Sequence, residues 1–343
     1  MNRVMVVQVD TRRPPPSLEE GRYGLFPHDL ARDVLDTDLR WRDPPGYADL
    51  HRRVRAHIVG RIRASSGRGQ RKAMSDLTYL HRRNPVMAPL FDWGGLGAVE
   101  VDPLGDGDDG GGGGAAGPAG ADAADRGEGA GRSDPSGPVG RDRGDRAAVL
   151  ALAAAELVPD EAALVRHWLD RQPESFLLFR VDGRVVGFTA ILRLDRAAAD
   201  DLAADPATRA LDALWAREDP PRPGEATTMT RFMAGCRDLS QAPSPAWEGF
   251  CLAQALHPLR TPGLGWDLVA AFTSPSVDPL FRYVDYPRRP EAEFTSGGEH
   301  HLVFGHDWRR LGVDAFMEMM GDRELDDGSG IVVPAGAAPP GSG

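Results

Sequence analysis

Residues 103 to 145 hold 15 of the chain's 41 glycines, include the run Gly110 to Gly114, and contain no aromatic residue. Such a segment has no side chains with which to bury a core, and its nine acidic residues against four arginines keep it solvated. The 343-residue chain is therefore expected to fold on either side of a disordered linker. Residues 326 to 343, rich in Gly, Pro and Ala, read as a disordered tail, and residues 1 to 16 as a flexible N-terminus. Between them the sequence divides into a helical part over 17–64, a connection and first strand over 65–102, and an α/β part over 146–325.

Charge and composition exclude several function classes. A formal net charge of -11 argues against nonspecific duplex DNA binding as the main role, which needs a clustered positive surface. Two cysteines, Cys236 and Cys251, make neither a disulfide framework nor a four-thiolate metal site. Of 40 basic residues only Lys72 is a lysine, and its surroundings do not match G-x-x-x-x-G-K-[ST], so a P-loop ATPase is not expected from this chain alone. No apolar run approaches the roughly 18 residues of a spanning helix, and the start lacks the order of a secretory signal, so the expected location is the cytoplasm.

Before the linker, Leu30, Val34, Leu35 and Leu39 share one helical face, and Tyr47, Leu50, Val54, Ile58 and Ile62 mark a second helix. The outer face of that helix carries Arg52, Arg53, Arg55, Arg61 and Arg63, either a solvated face balanced by Asp29, Asp33, Asp36 and Asp38 or a nucleic-acid stripe. After the linker, Arg146 to Leu157 and Asp160 to Arg171 read as helices. Phe176 to Val181 and Arg184 to Leu192 read as strands joined by Asp182-Gly183, the two-residue type I′ turn. An Ala-rich helical stretch over Ala197 to Arg217 precedes a strand over Thr227 to Met233, a helix over Ala246 to Leu256 and a strand over Gly265 to Phe272. A short helix over Asp278 to Tyr286, a hairpin across Gly297-Gly298 and a helix over Val313 to Met320 close the chain.

With a first strand at Ala98 to Val101, this order resembles the GNAT family of N-acetyltransferases over Gly97 to about Trp308. The resemblance implies an α/β fold with a mixed central sheet flanked by helices, and acetyl-CoA or another acyl-CoA as cofactor. It gives the strand ending at Met233 the role of lending amides to the pantetheine arm. The turn after it would cradle the pyrophosphate at the next helix start, where unpaired N–H groups favour an anion. The family loop [QR]-x-x-G-x-[GA] is matched by Arg237-Asp238-Leu239-Ser240-Gln241-Ala242, with Ser240 in place of the central glycine, and Arg237, Ser240 and Ala242 become candidate cofactor contacts. By placement, Tyr283 corresponds to the family's general acid, with Tyr286 one turn further, and Glu225 to its base. About thirty residues stand between Leu192 and Thr227 where the family has a short turn.

The segment Gly21-Arg22-Tyr23-Gly24-Leu25-Phe26-Pro27-His28-Asp29 resembles the end of the winged-helix domain of STAND-type signalling ATPases, in which a strand leads into a His-Asp motif opening a helix. The resemblance implies an N-terminal winged-helix remnant over about residues 17 to 64. It implies in turn a fragment of a larger regulator or a paralogue without its motor, with His28 and Asp29 capping the helix.

His300, His301, His306 and Asp307 are the densest metal-like cluster, but neighbours on a strand point to opposite faces, and no metal is expected. The serine at position 240 favours a degenerate module that serves as a non-catalytic sensor or interaction domain of a STAND-type regulator, with a protein partner. The alternatives are an acyl-CoA-dependent N-acyltransferase acting on a small amine, with Glu225 as base and Tyr283 as acid, and a DNA-associated regulator. No membrane is expected as a partner.

Overall fold

The computed structural model of the chain describes residues 18–21, 24–27, 29–104, 138–236, 243–273 and 277–325. They fall into two compact units, one ending at His57 and the other beginning at Ile58. In the first unit, β1 (Leu18–Gly21) and β2 (Gly24–Pro27) form an antiparallel pair that leads into α1 (Asp29–Arg42). His28 lies outside the described residues. The start of α2 (Pro44–Ala64) is fixed by Asp43, whose Oδ1 accepts the Gly46 N–H at 3.0 Å. Val34 and Leu35, read from the sequence as part of the apolar face of α1, are 58% and 61% exposed. The α2 arginines find acids: Arg53 pairs with Asp49 at 3.1 Å, Arg61 with Asp76 at 3.0 Å, and Arg63 with Asp314.

The second unit is a mixed seven-stranded sheet flanked by helices. Its strands are β3 (Glu100–Pro103), β4 (Phe176–Val181), β5 (Arg184–Arg193), β6 (Ala226–Ala234), β7 (Leu264–Phe272), β8 (Phe294–Ser296) and β9 (Glu299–Asp307), in the order β3-β4-β5-β6-β7-β9-β8. Only β6 and β7 run parallel. The β4–β5 hairpin turns at Asp182 and Gly183 as the sequence predicts, with φ of 49° and 74°, the paired positive values of a type I′ turn.

Two cores form, one on each face of the sheet. On one face α4 (Pro138–Glu156), α5 (Pro159–Arg171) and α7 (Pro206–Trp215) pack Val149, Trp168 and Leu211 with Phe188, Met229 and Leu268. On the other, α3 (Gly67–Thr78) and α8 (Pro245–Arg260) pack Met74, Leu252 and Leu256 with Met233, Val269 and Ala271. Successive residues of the central strands alternate between the cores, as in β7, where Trp266, Leu268 and Ala270 join one and Val269 and Ala271 the other. α9 (Val277–Tyr283) and α10 (Val313–Leu325) complete the unit.

Three elements differ from the sequence reading. The connection over 65–102 contains α3, which buries Ala73, Met74 and Leu77. The linker read through residue 145 gives way to α4 at Pro138, a residue whose fixed φ suits a first helical turn. The Ala-rich stretch Ala197 to Arg217 is two helices, α6 (Ala199–Ala204) and α7, because Pro206 drives Asp205 to φ -95 and ψ 124. Asp205 then caps α7 by accepting the Ala207 N–H at 3.0 Å. Among the described residues, no helix is long and apolar enough to cross a membrane.

Candidate functional site

The parallel pair is where the sheet opens. β6 and β7 are paired from Ala226↔Leu264 to Thr230↔Val269 and no further. Beyond that point Phe232, Met233 and Ala234 pair only with β5, and Ala270, Ala271 and Phe272 only with β9, so the two strands part. The break coincides with a bulge: Ala190 faces Phe232 and Ile191 faces Thr230, which leaves Arg231 without a partner across the ladder.

Arg231 sits at the bulge and bonds two buried acids. Its guanidinium forks onto Glu161 with two 2.7 Å bonds, and its Nε lies 3.0 Å from both carboxylate oxygens of Asp205. Asp205 also accepts the Trp168 indole N–H at 2.9 Å. Burial alone pushes the Glu161 carboxyl up, but the Arg231 bonds and charge outweigh it and hold it below its ordinary value. A single arginine inside the all-buried strand Ala-Thr-Thr-Met-Thr-Arg-Phe-Met-Ala is the sequence signal for such a group, since a buried cation requires acids.

The predicted anion cradle, Arg237 to Ala242, lies outside the described residues, but the Gly235 amide just before it is engaged. Glu156, the last residue of α4, accepts the Gly235 N–H through Oε2 at 2.8 Å. Gly235 has φ +82, and a Cβ there would fall 2.4 Å from the Val186 carbonyl and 2.9 Å from the Ala246 Cβ, so only glycine fits. The start of α8 is similarly satisfied: Ser244 accepts the Trp247 N–H, Pro245 has no N–H to offer, and Glu248 stands in the first turn. The Glu248 carboxylate accepts the Gly97 N–H at 2.6 Å, and burial, tempered by that bond, raises its pKa. Carboxylates thus engage the Gly235 and Gly97 amides on either side of the start of α8.

Of the predicted cofactor contacts, Met233 is buried in the core shared with Trp247 and Phe250, and Arg237, Ser240 and Ala242 lie outside the described residues. Tyr283 is drawn towards α10: its hydroxyl is 2.6 Å from His81 Nδ1 and 3.4 Å from the Arg323 carbonyl, with His81 Nε2 3.5 Å from Glu324. Glu225 belongs to a different group, accepting the Arg222 N–H at 2.9 Å and facing Arg309 Nη1 at 3.5 Å. The structure does not gather Tyr283 and Glu225 around one set of partners.

A polar cluster under α8 has no counterpart in the sequence reading. Buried Asp267 accepts the Thr228 hydroxyl and the Tyr286 hydroxyl, each at 2.7 Å, and His257 Nε2 lies 3.0 Å from the Thr228 hydroxyl. Burial, followed by the charge of Asp267, pushes the Tyr286 phenol well up, and burial holds His257 below its ordinary value despite Asp267. Tyr286 thus donates to Asp267, and the charged form of His257 is disfavoured.

Burial disfavours both thiolates. Burial, with Glu156 nearby, pushes Cys236 up to about 12, and burial drives Cys251 well above its ordinary value. His300 is bound to Glu293 at 3.1 Å, His301 stacks on Phe294, and His306 faces the carbonyls of Asp285 and Leu311. Asp307 is held by Arg309 at 2.7 Å, and among the described residues no group of metal-ligating side chains gathers. No protein-family model and no curated protein matches this chain.

Proposed function

We propose that the chain is a non-catalytic sensor or interaction module built on an acetyltransferase-like sheet, working within a STAND-type regulatory system. The observation that carries the reading is the Glu156 carboxylate on the Gly235 amide. A ligand phosphate reaching the Gly235 amide would have to displace that carboxylate. The strand order with its one parallel pair, parting at Thr230, supports the resemblance to the GNAT sheet. The β1–β2 pair entering α1 supports the resemblance to a winged-helix end.

The same parting of β6 and β7 favours the second reading, an acyl-CoA-dependent N-acyltransferase with Glu225 as base and Tyr283 as acid. Calorimetric titration of the purified chain with acetyl-CoA separates the two. The sensor reading expects no binding heat, whereas micromolar binding followed by acetylation of an amine belongs to the transferase. A DNA role is disfavoured by the acids that pair with Arg53, Arg61 and Arg63, and duplex retardation in a low-salt gel would restore it.

A further inference from the structure

The segment between β5 and β6, longer than the resemblance implies, builds a cleft of about 640 Å³ with the start of β6. That volume is within the range of small-molecule sites. Its walls are apolar, with Leu202 from α6 and Leu211 and Trp215 from α7. Its floor includes Thr227, which is 4% exposed. Strand alternation turns Thr227 towards the α7 face, since Thr228 faces His257 of α8.

The polar groups of the cleft differ in how they are satisfied. Asp195 is engaged by Arg193 at 2.9 and 2.6 Å and by the Thr227 N–H at 3.2 Å. Glu225 holds the Arg222 N–H. In contrast, the Thr227 hydroxyl is buried with no hydrogen-bond partner, although a buried hydroxyl of this kind is ordinarily paired. At the exposed rim, Arg209 makes a 3.3 Å bond to the Ala203 carbonyl, and among the described residues the Asp212 carboxylate has no partner. Arg209 and Asp212 are one helical turn apart, so they rise on the same side of α7.

The geometry points to a binding site for a free aromatic amino acid with a hydrogen-bonding ring group, of the tyrosine or tryptophan type. The ligand carboxylate would meet Arg209 and its ammonium Asp212 at the rim. Its ring would lie among Leu202, Leu211 and Trp215, and the ring O–H or N–H would reach Thr227 on the floor. A site with an orphan hydroxyl discriminates sharply against an analogue without the matching polar group. This inference rests on the sensor reading only in taking binding, not turnover, as the chain's work.

The test is calorimetric titration of the full chain with L-tryptophan, L-tyrosine and L-phenylalanine, repeated on Thr227→Val and Asp212→Asn. Tryptophan or tyrosine is expected to bind at least about tenfold more tightly than phenylalanine. Thr227→Val should erase that preference without lowering the melting temperature, because it removes an unpaired buried hydroxyl. Asp212→Asn should weaken binding of the preferred amino acid about tenfold or more. Absence of heat with all three amino acids in a folded sample overturns the inference, as does binding that both variants leave unchanged. Acetyl-CoA titrated into the same samples separates the two ideas, since its binding would count against the sensor reading and not against the amino-acid site.

Discussion

Glu156 and Gly235 meet at 2.8 Å, carboxylate oxygen to backbone N–H, across the seam where α4 reaches the end of β6. A glutamate at the C-terminus of a helix is placed against the helix dipole, so its position requires a specific compensating bond. The Gly235 amide supplies that bond, and the same contact takes up the N–H next to the loop that would hold a diphosphate in the acetyltransferase resemblance.

Arg231 is the cation that balances two buried acids, and its loss should be severe. Arg231→Met is expected to lower stability by about 3–5 kcal/mol, because Glu161 and Asp205 would be left without their counter-charge. Adding Glu161→Met to that variant should recover part of the loss, and chemical denaturation of the single and double variants measures both. A loss under about 1 kcal/mol would contradict the picture of a tightly balanced group.

Both thiols should be silent in the folded protein. At about pH 8 a thiol-reactive chromophore is expected to label Cys236 and Cys251 only at the rate of unfolding, since burial holds both thiols protonated. Rapid labelling of either cysteine in native buffer would show that the core around α8 opens.

The pH dependence of stability follows from two depressed groups. His257 is lowered from 6.5, so the unfolded chain takes up its proton first on acidification, and the stability it contributes is full above about pH 6.5 and is lost below. Glu161 is lowered from 4.5, so its contribution is full above about 4.5 and is lost as pH falls through its still lower folded value. Melting temperatures of wild type and His257→Gln between about pH 7.5 and about pH 5.5 should converge as pH falls. Parallel curves would show that His257 is not held neutral.

Tyr283 is positioned by His81 at 2.6 Å. Tyr283→Phe is expected to lower stability by about 1 kcal/mol, the size of one net hydrogen bond, as read by urea denaturation. An unchanged stability would mean that the hydroxyl is not held by that contact.

Much of this architecture is legible in the sequence, where local chemistry decides it. Asp182-Gly183 sets the hairpin, and the apolar runs on either side set its strands. Other features depend on contacts between distant residues. α3 begins Gly-Arg-Gly-Gln-Arg-Lys, a polar run whose helix is held by burying Ala73, Met74 and Leu77 farther along. Nothing near Glu156 announces that it will reach Gly235, 79 residues away. Arg231 is a lone cation within β6, but its partners Glu161 and Asp205 come from distant helices that only the fold brings together. The unpaired Thr227 hydroxyl is likewise a property of packing and not of sequence.

Titration of acetyl-CoA into the wild-type chain beside Glu156→Gln, with both samples shown to be folded, asks whether the Glu156 carboxylate keeps a diphosphate from the turn after β6. No binding heat is expected for the wild type, with any gain confined to the variant that removes the charge beside Gly235. Micromolar binding to the wild type that the substitution leaves unchanged would contradict that expectation, and would place the chain with the acyltransferases.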